Sequence, residues 1–382
     1  MKSMTSSERL LAAMRREEVD RIPLSPRMEM NVVPRYCGSG SIRACKRFKR
    51  EYFDCDPARA WGFPVVNPFY DYHAPVVGLK NVDTVIRYEE QGDIFMVTRN
   101  FKTPAGSLEE KVMVPKSGVK HYGSSPNPHR VEHLIKTPDD LERIRYLFPS
   151  LEGLSFVDYH QAVEEMGDDG LVLMNVPGPM DYMGGEAYSM EKMMMDYYDQ
   201  PEFFDKLLGL FTEHSIGMVR AALENDVRHF FLVYFYPSLS SGWSPKIIRD
   251  KFMPVFKKQV EMIHAAGGLA DYYDDGRLMG SIDFFVEAGV DVVETCSPPP
   301  VGDFNLAEAR KRWGRRVTFK GLVDMINVVA RGTPAQIDDH IREIVGQNEG
   351  KTGLILGTMD NIRPETPDEN IAAYFNSANK YR

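Results

Sequence analysis

The chain has 382 residues, 43% of them hydrophobic, and a formal net charge of −9. That length supports one large domain or two ordinary ones, and the acidic balance excludes the basic face that a nucleic-acid binder needs. No apolar stretch approaches a membrane span or a secretory signal core. The four cysteines, Cys37, Cys45, Cys55 and Cys296, form no CxxC pair or dense disulfide framework. A cytoplasmic protein is expected, with no membrane or nucleic-acid partner.

The first helix is expected from Ser7 to about Arg16, followed by "DRIPLSP", a strand ending at a proline-marked turn. The basic run Arg43 to Arg50 reads as one solvated helix face. Residues 84–115 carry short β-type runs separated by Gln91-Gly92 and Pro104-Ala105-Gly106, which is hairpin chemistry, so an antiparallel β-hairpin appendage is expected there. From residue 137 the pattern becomes regular. Thr137-Pro138, Ser244-Pro245, Thr333-Pro334 and Thr366-Pro367 each read as an N-cap followed by proline at the first helical position, with Glu369 completing a capping box on Thr366. Between these helices lie the apolar runs "GLVLMNVP", "HFFLVYFY", "GGLADYY", "DVVETC", "RVTFKGLV" and "GLILGT". Strands without strict alternation, interleaved with amphipathic helices, point to parallel β. Six such units plus two from the first half predict an α/β fold, a (β/α)8 TIM barrel forming a single domain over 1–382. A doubly wound open sheet is the second choice, but it lacks the glycine-rich phosphate loop expected after a first strand.

In such a barrel the C-terminal strand ends build the site. These ends carry Arg27 and Glu29; Asn175, Asp181 and Tyr182; Tyr234 and Tyr236; Asp271, Tyr273, Asp274 and Asp275; Glu294 and Cys296; Lys320 and Asp324; and Asp360. Each has a bland explanation. An Asp after a strand is most often a turn former or helix cap, which fits Asp274 best and Asp324 and Asp360 about equally. Lys320 and Glu294 read equally as a structural ion pair, and Tyr234 or Tyr236 as a core tyrosine with a satisfied hydroxyl. The set as a whole is what points to an enzyme. "DYHAPVVG" (Asp71 to Gly78) has a spacing near that of a cobalt-ligating corrinoid signature, but its glycine is misplaced and the corrinoid module is absent. The run Met193 to Met195 reads as helix packing.

From Met4 onward the chain resembles the uroporphyrinogen decarboxylase superfamily. "SSERLLAAMRREEVDRIPL" is similar to the family's opening helix and strand. "NVPGPMDYM" stands in place of its Gly-Pro-x-Thr segment and "GGLADYYDDG" in place of its His-x-Asp-Gly or His-x-Cys-Gly segment. "VETCSPPPVGDFNLAEARKRWGRRVTFKGLVD", "GTPAQI" and "LGTMDNIRPETPDENI" complete the likeness. The resemblance implies a (β/α)8 barrel.

Departures from the family narrow the function. The decarboxylase proper grips a polyanionic tetrapyrrole through an Arg-Gln-Ala-Gly-Arg segment. Here Arg27 and Arg35 stand farther apart with Glu29 between them, which disfavours that substrate. Thiol-alkylating members of the superfamily hold zinc with His-x-Cys and a distant Cys. Aligned on Gly276, those positions are Tyr273, Asp275 and the neighbourhood of Met359 and Asp360, so no thiolate zinc is expected; an oxygen-ligated metal would be a hard or borderline ion. Tyrosine and carboxyl groups suit proton transfer instead. The resemblance then implies an O-demethylase-type methyltransferase, passing a methyl group from a methyl ether, aromatic in character, to cob(I)alamin on a separate corrinoid protein. Asp275 or Tyr273 would be the proton donor, with Asp181 and Asp360 as secondary polar contacts. Arg27, Tyr236, Glu29, Tyr182, Glu294 and Lys320 would bind substrate. The alternatives are a decarboxylase of uroporphyrinogen or a smaller acid, and a noncatalytic barrel binding a corrinoid partner or tetrapyrrole-like ligand. A homodimer is compatible with the sequence.

Overall fold

A computed structural model of the protein describes residues 3–62, 79–116, 128–183, 187–348, 350 and 352–382. The "DYHAPVVG" segment lies outside the described residues. The chain forms two compact units, one of Met1–Gly62, Phe156–Val176 and Ala222–Arg382, the other of Phe63–Ser155 and Pro177–Ala221. In chain order the strands are β1 (Ala58–Trp61), β2 (Asp83–Gln91), β3 (Ile94–Thr103), β4 (Gly106–Pro115), β5 (His129–Glu132), β6 (Leu171–Pro177), β7 (His229–Val233), β8 (Leu269–Tyr273), β9 (Val292–Cys296), β10 (Thr318–Val323) and β11 (Leu354–Thr358).

The first unit is an α/β structure around a seven-stranded sheet in the order β1-β6-β7-β8-β9-β10-β11. Its described pairings are parallel. Strands β9, β10 and β11 are buried at every residue, as a sheet covered on both faces requires. Crossover helices include Met253–Ala265 before β8, Leu306–Trp313 before β10 and Pro334–Gln347 before β11. The six apolar runs expected as strands from residue 170 onward are all strands.

Beyond β11 the order continues. Leu24 forms a parallel bridge to Leu356, Ser25 N donates to Leu356 O at 2.8 Å, and Leu356 N donates to Pro23 O at 2.8 Å. On its other side Leu24 O accepts from Asp56 N at 2.7 Å, just before β1. The sheet therefore curls in a TIM-barrel-like manner, with the "PLSP" segment hydrogen-bonded toward both edges.

The first helix, Ser6–Met14, is started by a reciprocal box between Thr5 and Glu8. Its buried Leu10, Ala13 and Met14 share a core cluster with Leu171, Leu269, Val292 and Ile355, which lie at or near the N-terminal ends of their strands. That end is sealed by apolar packing, which leaves the C-terminal ends to carry polar chemistry. A buried carboxylate ties the opening segments to the chain's last residue. Asp56 accepts from Ser6 Oγ and Arg9 Nη1, both at 2.5 Å, from Leu24 N at 3.0 Å and from Arg382 Nη1 at 2.6 Å. Burial alone would raise its carboxyl pKa, yet Arg382 and Arg9 hold it below the usual range.

Two expected caps form and two do not. Ser244 accepts from Ile247 N, and Thr333 makes a full capping box with Gln336. The helix after Thr137 begins only at Asp140, whose carboxylate takes the Thr137 and Lys136 amides instead. The last helix starts at Asp368 with Pro367 at the cap, so the box between Thr366 and Glu369 is absent.

In the second unit, β2-β3-β4-β5 make an antiparallel sheet that contains residues 84–115, where the sequence predicts a hairpin. Its interior holds Glu110 between Arg99 and Arg130. Among the described residues no helix is long and apolar enough to cross a membrane.

Candidate active site

Strand β8 explains why "ADYYDDG" concentrates so much polar chemistry, because alternation sends neighbouring side chains to opposite faces. Tyr272 stacks on Phe285 with centroids 3.8 Å apart and donates to Asp274 Oδ2 at 3.0 Å. Both side chains of this pair are fully buried. Asp271, Tyr273 and Asp275 take the other alternation. The turn that follows needs Gly276, whose φ is +90° and where a Cβ would stand 2.3 Å from Ser240 Oγ. Ser240 Oγ and Asp303 Oδ1 accept the amides of Arg277, Leu278 and Met279. Capping work that could have occupied Asp275 is thus done by other residues.

Asp271, Glu294 and Lys320 make a buried chain across β8, β9 and β10. Lys320 Nζ donates to Glu294 Oε2 at 2.7 Å, with both side chains almost fully buried. Burial and the charge of Glu294 push the Asp271 carboxyl far above the usual carboxylate range. Burial also acts to raise Glu294, but Lys320 and Arg27 outweigh it and hold Glu294 low. Within this pair the proton is favoured on Asp271 and the charge on Glu294. The backbone is irregular beside them. Thr295 and Leu322 hold φ of 58° and 76°, and the β9–β10 register shifts between Phe319 and Gly321, which flank Lys320. Such non-glycine conformations cost about 1–3 kcal/mol each and cluster at functional sites.

A second group surrounds Arg27. Its guanidinium stands 4.7 Å from the Tyr273 ring centroid and 3.4 Å from Asp360 Oδ1. Tyr273 donates to Asp275 Oδ2 at 2.7 Å. Burial drives the Asp275 carboxyl up to about 6, the Tyr273 hydrogen bond opposing and Asp360 assisting. Burial likewise raises the Tyr273 phenol well above its ordinary value. Arg27 stays cationic, since burial opposes its charge but Glu294 and Asp360 outweigh it.

Both groups border one cavity of about 400 Å³, lined by Arg27, Glu29, Arg59, Asn175, Glu294 and Lys320 with Phe231 as an apolar wall. Tyr273 and Asp275 do not line it; they stand behind Arg27. Glu29 accepts from Met28 N at 3.1 Å, and burial pushes its carboxyl up against the pull of Arg27 and Lys320.

The structure brings Arg27, Glu29, Tyr273, Asp275, Glu294, Lys320 and Asp360 together within the first unit. Asp181 is buried in the short helix Pro179–Met183 of the second unit, and the Tyr182 side chain lies outside the described residues. Tyr236 is half-buried with its ring against Phe235. Tyr234 is a core tyrosine donating to Gln259 at 2.6 Å, and Asp324 caps the turn after β10. Cys296 is fully buried and its thiol is pushed far up by burial, which makes it inert. Among the described residues no group of three or more His, Cys, Asp or Glu side chains is arranged to hold a metal. Sequence reasoning missed Arg59, which sits in a strand of four residues with too little pattern to detect.

The Asp271 assignment has a measurable consequence. An acid whose folded pKa is raised is protonated when folded and ionised when unfolded across the intervening pH window. Wild-type stability then falls as pH rises through that window, by about 1.4 kcal/mol per pH unit at most. Asp271→Asn keeps a donor toward Glu294 and removes this dependence. Urea unfolding at pH 5 and pH 8 is expected to show the variant gaining on the wild type at the higher pH; a constant difference would mean Asp271 is ionised in the fold.

The uroporphyrinogen decarboxylase (URO-D) family model matches residues 117–381. Uroporphyrinogen decarboxylase 2, chloroplastic, of Oryza sativa subsp. japonica is 26% identical over 227 residues, 57% of this chain and 55% of that protein. The uroporphyrinogen decarboxylase of Parasynechococcus marenigrum (strain WH8102) is 26% identical over 258 residues, 64% of this chain and 68% of that one. The match thus spans little more than half of the rice protein's length. Among solved structures, a methyltransferase from Methanosarcina mazei covers 99% of both chains with a TM-score of 0.62 at 15% identity, a likeness of fold alone.

Proposed function

The chain belongs to the uroporphyrinogen decarboxylase family, and within it we propose that this protein is a methyltransferase that removes the methyl group of a small methyl ether and passes it to the corrinoid of a partner protein. We read the first unit as a complete (β/α)8 barrel closed through Leu24, with the reaction at its C-terminal strand ends. The observation that carries the functional reading is the Arg27–Tyr273–Asp275 group. It sets a cation and two proton-bearing groups beside the cavity where related thiol-alkylating enzymes would need soft metal ligands.

Breaking the methyl–oxygen bond leaves the electron pair on oxygen, which must be polarised and protonated as it departs. Arg27 faces the cavity and can hold the developing oxyanion. Tyr273, under the guanidinium, and Asp275, hydrogen-bonded to it, do not line the cavity and would deliver the proton through one bridging water, and Asp360 keeps Arg27 in place. The donor set fits a corrinoid brought by a partner: among the described residues the lining offers cations, carboxyls, amides and the Met30 thioether, and no thiolate or imidazole that would compete for cobalt. The corrinoid would supply the nucleophile for the methyl carbon.

Tetrapyrrole decarboxylation is less well supported. Arg35, which would complete a cationic clamp, donates to Thr366 O at 2.7 Å and pairs with Asp368 at 3.1 Å. Lys320 and Arg27 already face carboxylates. A polyanion would find little uncompensated charge in a cavity of about 400 Å³. The deciding experiment offers the purified protein uroporphyrinogen in one assay, and aryl methyl ethers with a reduced corrinoid protein in another. Methylation of the corrinoid is expected; turnover of uroporphyrinogen at an ordinary enzymatic rate would reverse the reading.

A further inference from the structure

The cations lining the cavity differ in how their charge is met. Lys320 is hydrogen-bonded to Glu294 at 2.7 Å, and Arg27 is ion-paired with Asp360 at 3.4 Å, its buried Nη1 making no hydrogen bond among the described residues. Arg59, on β1, donates through Nη1 to the main-chain oxygen of Gly40 at 2.6 Å and holds its guanidinium 5.1 Å from the Trp61 ring centroid. Neither contact carries negative charge, and among the described residues no carboxylate forms an ion pair with Arg59. Its anchor is rigid. At Gly40 a Cβ would lie 2.2 Å from Glu29 O, so the Gly40 backbone is pressed against the Glu29 segment and the acceptor for Arg59 is fixed in place.

A complementary acceptor lies in the same cavity. Asn175 Oδ1, near the end of β6, is buried without a hydrogen-bond partner among the described residues. A buried acceptor left unmet loses its hydration without compensation, so it is a place for a ligand donor. Between these polar points Phe231 supplies apolar surface. We propose that Arg59 is the carboxylate-binding residue of this cavity, which selects small monocarboxylates. A guanidinium presents a planar fork that matches a carboxylate through two parallel hydrogen bonds. One uncompensated arginine serves one carboxylate. This deepens the methyl-transfer reading and rests on it only for the fate of the ligand: the ether would sit on a small acid, with its carboxylate on Arg59 and its methoxy group toward Arg27.

Calorimetric titration with 4-methoxybenzoate, benzoate, benzamide and methoxybenzene tests the proposal apart from any turnover. The wild type is expected to bind both carboxylates at least tenfold more tightly than the two neutral compounds. Arg59→Gln keeps a donor for Gly40 O and is expected to lose that preference at least tenfold, with Arg59→Lys recovering part of it. Should Arg59→Gln melt below the assay temperature, the wild-type preference for benzoate over benzamide decides the matter. A wild type that binds neutral compounds as well as carboxylates, or that binds no benzoate, overturns the proposal. So does a folded Arg59→Gln that binds benzoate at wild-type affinity. If Arg59-dependent carboxylate binding is found but no 4-methoxybenzoate methyl reaches a reduced corrinoid protein, the methyl-transfer reading fails and the carboxylate site stands.

Discussion

Asp275→Asn and Tyr273→Phe are both expected to fold and bind ligand, and at least one of them to lose methyl transfer by on the order of a hundredfold or more. The expectation follows from the hydrogen bond of 2.7 Å that Tyr273 donates to Asp275. It follows also from the burial that holds the Asp275 carboxyl near 6, where a carboxylic acid still carries its proton for part of the neutral range. If Asp275 is the donor, single-turnover transfer in the wild type declines as pH rises above about 6, and Asp275→Asn abolishes that limb. If Tyr273 is the donor, its phenol stays protonated throughout, the profile is flat, and Tyr273→Phe is the damaging change. A purely structural Asp275 would cost stability on the order of 1 kcal/mol and leave transfer intact. That outcome is disfavoured because Ser240 and Asp303 already hold the amides of the turn. Should both variants transfer at wild-type rates, the donor is sought at Glu29, which faces the cavity itself and whose carboxyl is also raised by burial.

The C-terminal two-thirds of the barrel-like unit was legible because each strand is an apolar run too short for a helix, separated by helices with punctuated starts. Ser244 and Thr333 behave as caps because a free amide lies within reach of each hydroxyl. Thr137 and Thr366 have the same dipeptide and fail as caps, since the Thr137 hydroxyl donates to Asp140 Oδ2 at 3.2 Å and the last helix starts at Asp368. A Thr-Pro pair marks a chain reversal without fixing which residue satisfies the amides. β1 was not legible: three half-buried residues and the exposed Ala60 show no period, and Arg59 went unseen with them. The site was legible as a collection of strand ends and not as a geometry. Sequence could place Lys320 opposite Glu294. It could not show that Asp271 stands beside them as the protonated partner, nor that Tyr273 and Asp275 lie behind Arg27 and not at the cavity wall.

The buried pair itself makes the strongest prediction about stability. Lys320→Met is expected to destabilise the protein by about 3–5 kcal/mol near pH 8, because Glu294 loses its hydrogen-bonded partner in a nearly water-free site and keeps only the more distant charge of Arg27. The sign of the pH dependence follows from the same pair. In the wild type Glu294 is held below its usual range, so the pair's contribution is fully present above the unfolded carboxyl pKa and is lost as pH falls through the folded value. Without Lys320 the carboxyl loses its largest opposing charge and burial drives it upward. The variant's deficit is then greatest at high pH and shrinks as pH falls toward about 4.3, where the unfolded chain also binds the proton. Adding Glu294→Gln removes the charge that has lost its partner and is expected to recover more than half of the deficit at pH 8, since most of the cost lies in the orphaned ion and not in the lost attraction. Urea unfolding of the two single variants, the double variant and the wild type at pH 5 and pH 8 measures each term. A Lys320→Met protein as stable as the wild type at pH 8 would mean that water reaches Glu294. The site would then be too wet for the shifted carboxyls on which Asp271 and Asp275 depend.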